Sequence, residues 1–200
     1  MCSSDLAKQR ISDLQDSREP QVVTGIVSEL RIINGSRGRV AIFKLDDKSD
    51  TIEAVANQDT LDANKDLLKD DELVIIQGKV QNDRFSGGLR LNVQQVMSVA
   101  AARCRFARFV RLVHTGGRVP LAEVLREHPA RIVPAPQPDL PDIRQGLPVR
   151  VVVERRTPEL AARGELDLEE QSKLFPSDAA LARLRELMPQ AQAQVVYGEG

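Results

Sequence analysis

Residues 31–47 read RIINGSRGRVAIFKLDD and concentrate one kind of chemistry. Arg31, Arg37, Arg39 and Lys44 are cationic, and no acid occurs before Asp46. A second basic stretch follows in NDRFSGGLR, where Arg84 and Arg90 flank Phe85 and the pair Gly87-Gly88. Guanidinium and ammonium groups spaced along a loop and a strand can neutralise phosphates, an attraction that ignores sequence and weakens with salt. Phe85 offers a ring on which a base can stack. Gly35, Gly38, Gly87 and Gly88 let backbone come close to a ligand, and they also simply permit turns. The same arginines would equally serve as the solubilising surface of two hairpins.

No constellation for bond-making chemistry stands beside them. The paired acids Asp46-Asp47 fall in an expected turn, where solvated carboxylates are the ordinary outcome. Cys2 and Cys104 have no CxxC partner, and His114 and His128 lack metal-ligand spacing. No metal, cofactor or catalytic residue is expected.

With 200 residues, 42% of them hydrophobic and 28% charged, the chain has a globular composition and room for one large domain or two small ones. No apolar run approaches the roughly 20 residues of a membrane span. MCSSDLAKQR has no apolar leader core. A cytoplasmic protein without membrane contact is therefore expected. The formal net charge of -1 argues against a chain that coats nucleic acid indiscriminately. It leaves room for a local basic face, because binding responds to the local field. Aromatics make up only 3%, so such a face must rely on charge and backbone more than on stacking.

The elements that position these residues read as follows. Residues 1–19 form a polar, weakly helical lead-in that Glu19-Pro20 ends. Strand-like runs cover 22–27, 39–45, 51–56, 73–80 and 89–96, with alternating apolar residues in several of them. A helix is expected over 57–68, capped by Asp59. Gly25 and Gly78 sit inside strands, where glycine marks a sharp bend. The order β-β-β-α-β-β over residues 20–99 is that of a five-stranded OB-fold barrel. That fold binds oligonucleotides on the face of strands two and three, between the loops here placed at 33–38 and 82–88. In strand two, Phe43 shares a face with Leu45 and goes to the core, leaving Ile42 and Lys44 outward.

Residues 100–200 read as a smaller α+β domain, so the fold class is mainly β plus α+β. A helix from Ala100 passes into a strand near 109–114, a short helix follows at 120–127, and the proline-rich stretch 129–148 reads as a loop or tether. A strand over 149–154, a short strand around Leu166 and Leu168, a helix over 178–188 capped by Ser177 and a last strand over 194–197 complete it.

Two stretches carry a resemblance. GIVSELRIINGSRGRVAIFKLDDKSDTIEAVANQDTL and DLLKDDELVIIQGKVQNDRFSGGLRLNVQQV resemble the OB domain near the C-terminus of the bacterial DNA polymerase III alpha-subunit family. GLPVRVVVERR and LFPSDAALARLRELMPQ resemble that family's last domain. The resemblance implies a non-catalytic fragment of a DNA-directed DNA polymerase, with the catalytic carboxylates upstream. It implies that the barrel binds single-stranded template DNA weakly, in the micromolar range or above, and without sequence specificity. It further implies that the terminal domain binds the tau subunit of the clamp loader. Phe175, Leu181, Leu184 and Tyr197 are the candidates for that contact, although Leu181 and Leu184 also suit the domain's own core. The tail Gln192–Tyr197 is loosely similar to peptides that dock on the sliding clamp, and fits an ordinary strand as well. The family often has an aromatic near the end of strand three, where this chain has Asn57. Two other uses of the barrel stay open: binding of tRNA or other RNA, and protein contacts alone.

Overall fold

The computed structural model describes residues 9–35, 38–83, 87–116, 119–135 and 139–198. The chain divides into two compact units, Met1–Val99 and Ala100–Gly200.

The first unit is a closed barrel of β1 (Gln21–Gly35), β2 (Gly38–Asp46), β3 (Thr51–Ala56), β4 (Leu73–Asn82) and β5 (Leu89–Met97), in the order β1-β2-β3-β5-β4. Period-two alternation drives Val23, Phe43, Leu45, Ile52, Val74, Ile76, Val80 and Leu91 into one core. Closure depends on β1, which pairs with β4 through Gln21–Ile26 and with β2 through Ile26–Gly35. Where β1 passes from one neighbour to the other, a Cβ on Gly25 would lie 3.2 Å from both the Asp46 carbonyl oxygen and the Leu45 Cβ. Parallel pairing of β3 with β5 seals the barrel and leaves it no free edge.

Three expectations for this unit change. β1 runs on to Gly35, so the expected loop shortens to a tight hairpin end in which Gly35 pairs with Gly38. The helix α1 covers only Gln58–Ala63, and its cap is Asn57, whose side chain accepts from the Thr60 N–H at 2.9 Å. The cap thus lies two residues before Asp59. The lead-in is part of the unit: Ile11 and Leu14 are buried in the barrel core. It is fastened by Asp47, whose carboxylate accepts from the Ile11 N–H at 2.9 Å and from the Ser49 N–H at 2.9 Å.

Partial burial works to raise the Asp47 pKa. Bonds from the Ser49 hydroxyl and from the backbone of Ile11, Ser49 and Asp50 outweigh it and hold the carboxyl below its ordinary 3.8. A depressed folded-state pKa contributes stability above the unfolded value and loses it as pH falls through the folded one. Asp47→Ala is therefore expected to free the lead-in at neutral pH, at a cost of about 1–2 kcal/mol. The wild type should reproduce that loss only below about pH 4. Hydrogen exchange at the Ile11 amide checks both.

The second unit contains α2 (Val99–Phe106), β6 (Ala107–His114), α3 (Leu121–Glu127), β7 (Arg131–Val133), β8 (Ile143–Gln145), β9 (Val149–Arg156), β10 (Ala161–Asp167), α4 (Asp178–Leu187) and β11 (Ala191–Tyr197). Its sheet has the order β10-β9-β6-β11, with β6 and β9 parallel. α3 and α4 pack onto it through Leu121, Val124, Leu181 and Leu184. Ser177 caps α4, its hydroxyl accepting from the Ala180 N–H at 3.1 Å. The stretch 129–148 departs from the expected tether. β7 and β8 pair as a hairpin, and Pro129 and Leu147 both bridge to Leu174. Among the described residues no helix is long and apolar enough to cross a membrane.

Candidate nucleic-acid interface

The outward face of β2 and β3 is built by register. Arg31 stands opposite Ile42, Ile42 opposite Val55, Val55 beside Asn92, and Asn92 opposite Lys79. This row passes through all five strands, about 19 Å along the sheet at roughly 4.8 Å per step, and so winds round the closed barrel, with Ile42 and Val55 on its β2–β3 side. Among the described residues its two end cations, Arg31 and Lys79, make no ion pair. Ile33 and Val40 extend the apolar middle toward the hairpin end, where Ile32 and Ile33 are 53% and 52% exposed. A neighbouring row sets Lys44 opposite Glu53 and Glu53 beside Arg90.

The face is less basic than its sequence. Arg39 pairs with Asp62 at 2.8 Å, Lys44 with Glu29 at 2.7 Å, and Arg90 with Glu53 at 2.7 Å and Asp83 at 3.0 Å. A hydrogen bond from Lys65 pulls the Asp62 carboxyl below the ordinary range, desolvation opposes it, and the charge of Arg39 adds to the fall. Glu29 reaches Lys44 from the β1 bulge between Ser28 and Arg31, where its φ of 52° is left-handed. Arg37, Arg84 and Phe85 lie outside the described residues. Phe43 is 1% exposed and faces the core, and Asn57 is occupied as a helix cap, so neither offers a stacking ring.

Lys79, Val55 and Asn92 escape a reading of loops because strand pairing, not sequence distance, sets them beside Ile42. Alternation in TIEAVA does point Val55 outward, but nothing in the sequence pairs β3 with β5.

The contact candidates of the second unit need correction. Phe175, Leu181 and Leu184 are 5%, 3% and 1% exposed, packed in the unit's own core, so none can meet a partner directly. Tyr197 is half-buried against the same core, in β11. The Arg131 guanidinium lies 3.9 Å from the Phe175 ring centroid. The exposed aliphatics of the described residues instead include Ile132, Val133 and Ile143 on the β7–β8 hairpin, Leu140 before β8, Val153 on β9, and Leu160 and Leu166 around β10. Arg103 is structural, donating to the Pro176 carbonyl and pairing with Asp178.

Burial pushes the Cys104 thiol up to about 11, against the lowering fields of Lys173 and Arg131, so it is protonated at neutral pH. Among the described residues no group of three or more His, Cys, Asp or Glu could hold a metal.

The closed five-stranded barrel is an OB-fold, and residues 21–99 match the family described as an OB-fold nucleic acid binding domain. Over most of its length the chain is also similar to a segment of the DNA polymerase III alpha subunit. It is 30% identical over 194 residues to that of Escherichia coli K12, which covers 94% of this chain and 15% of the relative. It is 29% identical over 196 residues to that of Neisseria meningitidis serogroup A, covering 95% and 16%. Against the Pseudomonas fluorescens subunit it is 42% identical over 107 residues, covering 53% and 9%. The chain thus spans less than a fifth of the length of these relatives.

Proposed function

We propose that the barrel binds single-stranded template DNA as part of a replicative polymerase, weakly and without sequence preference. The observation that carries this is the row from Arg31 to Lys79. A cation at each end can meet phosphates, and Ile42 and Val55 between them give the bases an apolar bed. The similarity to DNA polymerase III alpha subunits supports DNA as the ligand over RNA. Polymerisation itself would belong to the larger part of such a subunit, beyond the segment matched.

Fluorescence anisotropy of single-stranded DNA, duplex DNA and RNA over a salt series tests the proposal. Single-stranded DNA should bind tightest, and Arg31→Ala with Lys79→Ala should lower the salt slope by about one to two units. An unchanged affinity in that double variant rules out this face.

The second unit is read as the docking site for the tau subunit of the clamp loader, through the exposed aliphatics of the β7–β8 hairpin. Isolated hairpins are marginal in water, which favours a covered role for one carrying Ile132, Val133 and Ile143. Ile132→Asp with Ile143→Asp should abolish capture of tau while the unit stays folded. Retained capture would exclude the hairpin. Docking of the sliding clamp on Gln192–Tyr197 has less support, because those residues are paired with β6.

A further inference from the structure

Resting on the nucleic-acid reading, we propose that Glu29, Glu53 and Asp62 are selectivity-determining residues that make this face prefer single strands to duplex. Glu29 holds Lys44 and Glu53 holds Arg90 on the outward rows, and Asp62 on α1 holds Arg39, which continues the inward register of Ala41 and Phe43, together with Lys65. Asp83 also pairs with Arg90, which therefore lies between two carboxylates. Glu53 is the central member, set by register between Lys44 on one side and Arg90 on the other.

Ordinary cationic sites gain affinity by releasing mobile counterions when phosphate arrives. Here the counterions are tethered side chains. A phosphate that takes Lys44, Arg39 or Arg90 releases nothing and leaves a carboxylate close beside it. At physiological salt, repulsion reaches about 8 Å, far enough to cover the whole Lys44–Glu53–Arg90 row. Among the described residues of the neighbouring row, Arg31 and Lys79 have no carboxylate partner and attract phosphate at full strength.

The two forms of DNA meet this surface differently. Duplex brings a dense double row of phosphates, about one charge per 1.7 Å of axis, and keeps its base faces stacked. It pays the repulsion in full and cannot use the apolar bed. A single strand brings fewer charges and exposes its bases to Ile33, Val40, Ile42 and Val55. The acids therefore weigh against duplex more than against single strands, and selectivity follows from charge cancelled on the face rather than from charge added.

The test compares the full chain with the Glu29→Gln, Glu53→Gln, Asp62→Asn triple variant. The probes are an oligothymidine and a blunt duplex of the same length, measured by anisotropy over a salt series. Thermal melts confirm folding, and Asp62→Asn alone serves as a milder second variant at an exposed helix position. The triple variant should bind duplex about tenfold or more tightly than the wild type, and oligothymidine only about two- to threefold more tightly. Its duplex salt slope should steepen by about two to three units as the freed cations acquire mobile counterions. Asp62→Asn should move in the same direction by a smaller factor. Equal gains for both probes, or no gain in a wild type that does bind oligothymidine, would overturn the selectivity role and leave the nucleic-acid reading standing. A wild type that binds neither probe would overturn both.

Discussion

Phe43→Ala is expected to remove about 3–5 kcal/mol from the barrel, a large share of an ordinary domain's stability. The reason lies in its surroundings. Phe43 is 1% exposed at the centre of β2, directly opposite Ala54, with Ala41 and Ala56 on the same inward layer. Those alanines leave the space that the ring fills. None of them can extend into the hole left by its removal, so the cavity term is close to its full value. In a thermal melt the barrel's transition should fall by about 15 °C or more. Phe43→Leu, which keeps most of the volume, should cost far less. A Phe43→Ala variant that stays as stable as the wild type but binds DNA more weakly would put the ring on the surface, against the packing described.

Gly78→Val should be nearly as damaging, by about 3 kcal/mol, for a different reason. A Cβ at this position would lie 2.4 Å from the Asn92 carbonyl oxygen and 3.0 Å from the Leu91 Cδ1. The nearer atom is backbone of the paired strand, so it cannot swing away as a side-chain tip could. The clash falls where β4 and β5 shift register, between Gln77 and Gly78. Relieving it means parting the two strands. Even Gly78→Ala should lower the midpoint of urea unfolding measurably, and a midpoint unchanged within error would refute the close approach.

Much of this architecture was legible because strand alternation and barrel closure leave local marks. TIEAVA is strand β3 to the residue, Gly78 sits where the paired backbone comes too close for a side chain and Gly25 where a Cβ would be tight, and Ser177 caps its helix as its hydroxyl and position require. What escaped depends on contacts far apart in sequence. A linear count from Arg31 to Lys44 finds no acid, yet Asp62 on α1 and Glu53 on β3 come back to Arg39 and Arg90 across the fold. Asn57 and Asp59 are both good caps. Asn57 takes the role because β3 ends at Ala56 and the chain turns at once. The prolines of 129–148 hid a hairpin whose ends are held by Leu174 rather than by local propensity. Leu181 and Leu184 read equally as core or contact until the sheet beneath them is seen.

That pattern bears on function. The basic loop is expected to carry several phosphate contacts, whereas among the described residues Arg39, Lys44 and Arg90 are paired with carboxylates and Arg31 and Lys79 are not.

The most direct test of this account is amide chemical-shift mapping of the full chain titrated with an oligothymidine. The largest shifts should fall on Arg31, Val40, Ile42, Val55, Lys79 and Asn92, and they should shrink as salt is raised. Shifts confined to the second unit, or spread evenly over both units with this row unmoved, would contradict it.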